Sequence, residues 1–113
     1  MRLEARKYLF DIQRAADRIA RFCEGKQFDD YRVDELLRSA VERQFEIIGE
    51  ALAGLARDEP DVAAGIPDHR RIIAFRNILI HGYATVDDKI VWGVVEGNLP
   101  ALRKAVESLL GDS

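Results

Sequence analysis

The chain has 113 residues, 48% hydrophobic and 33% charged, too apolar for a disordered segment and long enough for a single domain, residues 1–113, with a modest core. Its net charge of −3 argues against a protein that coats nucleic acid through bulk electrostatics. The lone cysteine, Cys23, excludes an intrachain disulfide and fits a reducing compartment; with no signal-peptide core and no run near the ~20 apolar residues of a membrane span, a cytoplasmic protein without membrane contact is expected.

Strand-like alternation never persists, whereas the helical period runs throughout. The first predicted helix covers residues 3–24, with the stripe Leu9, Ile12, Ala16, Ile19, Cys23 and a stop at Gly25. After a polar connection, Asp29 or Asp30 caps a long second helix over residues 31–57. That helix carries two apolar rows: Leu37, Val41, Phe45, Ile48, Leu52, Leu55, and beside them Val33, Leu36, Ala40, Ile47, Ala51. Two rows are more than one seam needs, so the helix is either central in a bundle or part of a dimer interface. Pro60 follows its end. A third helix is expected over residues 67–81, opened by Pro67 and closed by a left-handed Gly82. Thr85-Val86-Asp87-Asp88 resembles a capping box for a fourth helix, and Gly97-Asn98-Leu99-Pro100 breaks it before a fifth that buries Leu102, Val106 and Leu109. The expected fold is all-α: a compact five-helix bundle that forms a two-fold homodimer.

The third helix holds the most informative polar residues. From His69 to His81 there are three arginines, Arg70, Arg71 and Arg76, two histidines and no acid. Either a phosphate-contacting site lies here, or Arg70 and Arg71 solvate a helix face. Taking Arg76 as zero at ~100° per residue, Ile80 falls near 40°, Ile73 near 60°, Asn77 near 100° and His81 near 140°, so the three polar residues share one broad face with two isoleucines between them. RNA cleavage needs a base for the 2′-hydroxyl proton, an acid for the leaving oxygen and a cation for the phosphate. Histidine near neutrality supplies the first or second, and arginine's forked donors supply the third. Asn77 could orient His81 or hold a phosphate oxygen. By spacing alone the bland alternative stands: Arg76 buried and paired, His81 a helix cap, Asn77 bonded to backbone.

The run Phe75-Arg76-Asn77-Ile78-Leu79-Ile80-His81-Gly82-Tyr83 resembles the signature of the HEPN superfamily, and more closely that of the HepT-type toxins, Arg-x-x-x-x-His-x-Tyr. The segment from Ala40 through Glu50 to Ala51 is similar to that family's long helix, and Val86-Asp87, Ile90-Val91-Trp92 and Leu99-Pro100 to its C-terminal part. Asp68 and Ala84 depart from the family's usual aromatic residues. The resemblance implies an endoribonuclease toxin, with Arg76 and His81 as the catalytic pair and Asn77 as a supporting site residue. It implies a homodimer whose two motifs share a cleft. It also implies a partner, an MntA-type nucleotidyltransferase antitoxin that silences the toxin by transferring AMP to Tyr83. RNA is the implied substrate, and no cofactor or metal is called for.

Glu42, Glu46 and Glu50 recur every fourth residue, but without a histidine at a ligand spacing they suit a solvated or ion-paired face better than a metal site. Arg43 either pairs with one of them or faces the RNA. His69 is expected at the surface, Trp92 in the core or an interface, and Cys23 in packing. Two other functions share the same fold: a non-catalytic subunit that supports a nucleotidyltransferase by binding nucleotide or partner, and a purely structural dimerisation bundle.

Overall fold

The computed structural model describes residues 1–82 and 86–111. Among the described residues every regular element is a helix: α1 (Leu3–Phe22), α2 (Phe28–Val33), α3 (Glu35–Asp58), α4 (Pro60–Ala64), α5 (His69–His81), α6 (Asp88–Gly97) and α7 (Leu99–Gly111). No helix is long and apolar enough to cross a membrane among these residues.

The apolar stripe of α1 is buried as its period requires, from Leu9 through Ile12, Ala16 and Ile19 to Cys23, and Gly25 turns the chain with φ +72°. Burial pushes the Cys23 thiol above its ordinary range, as befits a packing residue. The stripe meets the first row of α3, in which Leu37, Val41, Phe45, Ile48, Leu52 and Leu55 are all buried. The two helices run antiparallel: Tyr8 donates to Asp58 Oδ2 at 2.9 Å, and Arg2 lies 3.3 Å from Glu59. On another side of α3 lies α5, keyed by Phe75 edge-on to Phe45 at 5.3 Å between ring centroids. Deleting a buried ring of this kind costs about 3–5 kcal/mol, so the α3–α5 seam is a main support of the fold. Returning along α1, α7 is tied by Arg103 to Asp17 at 2.9 Å, and α6 reaches α2 through Trp92 and Tyr31, 5.3 Å apart. The molecule measures 42 × 29 × 19 Å, about two helices thick in its thinnest direction.

Seven helices among the described residues replace the expected five. The second expected helix is broken at Asp34, whose backbone is extended (φ −108°, ψ 96°) and whose carboxylate accepts from Leu37 N–H at 3.0 Å. An Asp ahead of a helix satisfies one of its orphan donors, so Asp34, rather than Asp29 or Asp30, caps the long helix. Asp30 instead serves the short α2, accepting from Gln27 N–H at 2.8 Å. Pro60 does not merely follow α3; it opens the single-turn α4. The third expected helix starts two residues after Pro67, because Asp68 adopts a left-handed backbone (φ 59°). Gly82 closes α5 with φ −110° rather than a left-handed turn, its N–H donating to Ile78 O at 2.7 Å. In place of the expected Thr85–Asp88 capping box, α6 begins at Asp88 and is capped by Asp87, which accepts from Lys89 N–H at 2.8 Å; Thr85 itself lies outside the described residues.

Candidate active site

Where α5 crosses α3, the arginine of the motif stands directly over a glycine. A Cβ on Gly49 would lie 2.2 Å from Arg76 Cβ and 2.5 Å from its Cγ, so only the absence of a side chain at 49 admits Arg76. From this crossing the guanidinium reaches back along α3, and its Nη1 donates to Glu50 Oε2 at 2.5 Å. The Arg76 side chain is 16% exposed, whereas that of Glu50 is 76% exposed. Arg76 Nε is buried and bonds to nothing among the described residues. Unmatched buried donors cost free energy, more so on a charged group, so this guanidinium is held in place with hydrogen-bonding capacity unspent.

His81, the last residue of α5, is exposed, and so is Asn77 one turn before it. Being four apart, they are neighbours on one face. No hydrogen bond joins either to Arg76 among the described residues. The sequence-predicted residues therefore separate within one chain: Asn77 and His81 face solvent, while Arg76 is turned into the α3 crossing. Buried pairing, the bland alternative for Arg76, does describe its packing. Tyr83 lies outside the described residues. Two exposed isoleucines, Ile78 and Ile80, precede His81 in sequence, and Ile80 borders a groove of about 380 Å³ against Tyr8, Ile47, Glu50 and Gly54.

Two of the three glutamates in the α3 row are ion-paired: Glu46 lies 3.6 Å from Arg43, and Glu50 holds Arg76. Glu42 is half-buried, and burial, then Asp88 and Glu46, push its carboxyl above the usual range. His69 is half-buried, with Nδ1 3.3 Å from Ile66 O. Sequence reasoning missed Gly49 and the Glu50–Arg76 pairing. The one signal available was a glycine amid the apolar rows of a long helix, where it costs stability unless another backbone comes close.

Comparison with known proteins gives the family of the chain. The family described as "Ribonuclease HepT-like" matches residues 12–109. The chain belongs to this family. "Probable ribonuclease HepT" of Thermococcus cleftensis is 34% identical over 109 residues, 96% of this chain and 98% of the relative. A "Putative RNase" of Methanocaldococcus jannaschii is 30% identical over 104 residues, 92% of this chain and 94% of the relative. Another of that name, from Caldanaerobacter subterraneus subsp. tengcongensis, is 31% identical over 105 residues, 93% of each chain. No solved structure matches. Membership of the HepT-like ribonucleases and the names of these relatives support an RNA-cleaving enzyme.

Proposed function

We propose that this HepT-like chain is a metal-independent endoribonuclease toxin, with Arg76 and His81 as its catalytic pair, Asn77 in support, and Tyr83 as the site at which a partner silences it. The observation that carries this reading is the α5 motif itself: a fixed guanidinium with unspent donors, and one turn on an exposed imidazole beside an exposed amide.

In the reaction, the 2′-oxygen attacks phosphorus, the bond to the 5′-oxygen breaks, and a 2′,3′-cyclic phosphate and a 5′-hydroxyl result. His81 takes the 2′-hydroxyl proton or returns one to the leaving oxygen; Arg76 stabilises the charge gathering on the phosphoryl oxygens. Because Arg76 and His81 of one chain face apart, a two-fold dimer that brings two α5 helices to one cleft gives the phosphate both groups. Apolar side chains left uncovered on the relevant helices suit that pairing: Leu36 is 80% exposed, Val33 69% and Ile78 54%. Regulation acts two residues past His81 in sequence, at Tyr83. The Tyr83 oxygen attacks the α-phosphorus of ATP on an MntA-like nucleotidyltransferase and pyrophosphate departs; the AMP left behind excludes RNA by bulk and by like charge.

The test is expression without any partner, with growth and RNA integrity followed. Wild type degrades RNA, persists in EDTA and leaves cyclic-phosphate ends, while His81→Ala and Arg76→Ala do neither yet remain folded. Full cleavage by His81→Ala, or complete loss of activity in EDTA, refutes the mechanism. Incubation with the nucleotidyltransferase and ATP adds AMP mass and silences wild type, whereas Tyr83→Phe stays active; a silenced Tyr83→Phe refutes the switch.

A further inference from the structure

The exposed side of the motif continues beyond the motif. Arg70, Ala74, Asn77 and His81 follow one another along α5 at steps of four, three and four, and all four are exposed. At ~100° per residue they fall within about 60° of the helix circumference, over about 16 Å of its length. The helix His-Arg-Arg-Ile-Ile-Ala-Phe-Arg-Asn-Ile-Leu-Ile-His contains no acid. The carboxylate nearest in sequence, Asp68, is already engaged elsewhere, accepting from Asn98 Nδ2 at 3.0 Å. Among the described residues Arg70 forms no ion pair and no hydrogen bond, unlike Arg38, Arg43, Arg57, Arg76 and Arg103, each of which has an acidic neighbour. Arg71 stands about 100° further round the helix, in the groove that α5 forms with Ile90 and Val94 of α6. Ala74 keeps the middle of the stripe low, so a strand lying on Asn77 and His81 is not lifted off before it reaches Arg70.

We propose that Arg70 binds a backbone phosphate of the RNA a few nucleotides from the scissile bond, which makes the stripe Arg70–Ala74–Asn77–His81 the bed of the substrate strand. This rests on the ribonuclease reading above and extends it from the scissile phosphate to the chain that carries it. An unpaired guanidinium is a forked anion site with no internal competitor. It explains how a protein of net charge −3 engages a polyanion: the contact is local, on the one helix without acids among the described residues.

Binding is measured in a His81→Ala background, which stops turnover, with a short fluorescent single-stranded RNA across a range of salt. Arg70→Ala weakens binding about fivefold and lowers the magnitude of the salt slope by about 0.7, the share of one phosphate contact on a single strand. Arg71→Ala, the same loss of charge on another face, leaves the slope at the parent value, and Arg70→Lys retains it. In the active protein, Arg70→Ala raises KM for long RNA with kcat kept, and leaves dinucleotide cleavage unchanged. Equal effects of Arg70→Ala and Arg71→Ala in a protein that still cuts RNA overturn this inference alone. A wild-type protein that neither binds nor cuts RNA overturns the ribonuclease reading and this inference with it.

Discussion

Helix α3 makes two close crossings, and they are built to one plan with different tolerances. At the first, Gly49 admits Arg76 of α5, whose head group meets Glu50. At the second, Gly54 admits Tyr8 of α1, whose hydroxyl donates to Asp58 while Arg57 stands by at 3.4 Å. A missing Cβ, a polar side chain laid over it and a nearby carboxylate recur in both. What differs is which atoms fill the gap. Over Gly49 they are the Cβ and Cγ of Arg76, next to the backbone; over Gly54 they are the far end of the Tyr8 ring. The first crossing sets where a helix lies, and the second sets only where a ring rests. The position of Arg76 is thus a property of the helix pairing, which is what the proposed contact with a phosphate would require.

Removing the two side chains separates the crossings most widely. Arg76→Ala is expected to lower RNA cleavage by at least about a hundredfold, the usual loss when a charge-stabilising group is taken from a reacting centre. Tyr8→Phe, which gives up a surface hydrogen bond, leaves cleavage at the wild-type rate. A gel assay on single-stranded RNA reads both, and comparable losses would dissolve the distinction.

Filling the gaps tests the tolerances directly. Gly49→Ala forces α3 and α5 apart and is expected to cost about 2–3 kcal/mol in urea unfolding, along with cleavage, because Arg76 is displaced. Gly54→Ala lets the ring rotate aside and costs about 1 kcal/mol, with cleavage kept. If Gly54→Ala is the more damaging, the ring is the less mobile of the two.

The smallest effect lies in the pH dependence of the second crossing. The hydrogen bond from Arg57, then that from Tyr8, holds the Asp58 carboxyl below its ordinary value of 3.8. A lowered acid contributes stability above that ordinary value and loses it as pH falls through the lowered one. The hydrogen bond to Asp58 holds Tyr8 above its ordinary value of 10.0, so its share is present below pH 10.0 and is lost as pH rises through the raised value. Asp58→Asn is therefore expected to be slightly less stable than wild type at neutral pH and indistinguishable from it in strong acid. An ultraviolet titration should show Tyr8 ionising earlier in the variant. Identical titrations would show that the hydroxyl bond contributes nothing in solution.

How much of this could be read from the sequence depended on whether the causes were local. The stripe of α1 and the first row of α3 are periodic, and every named residue of both is buried. The break at Asp34 was hidden because apolar residues continue across it, at Val33, Leu36 and Leu37, so periodicity read through a cap. Val33 and Leu36 of the second row are instead exposed. Within the motif, the helical wheel spread Arg76, Asn77 and His81 over one broad face, whereas in the structure Asn77 and His81 are exposed and Arg76 is turned into the α3 crossing. The partner of Arg76 was illegible: Glu50 lies 26 positions away, in a row of glutamates that carries no mark of which one meets the arginine.

The Gly49–Arg76 crossing also limits how this protein can change. A larger residue at 49 is a packing fault that only glycine at 76 would relieve, since Arg76 Cβ is what the new atom strikes. That repair removes the guanidinium. In this fold the compensating mutation for the helix seam is therefore itself a loss of the proposed chemistry. If the proposed chemistry holds, glycine at 49 and arginine at 76 can be given up only together.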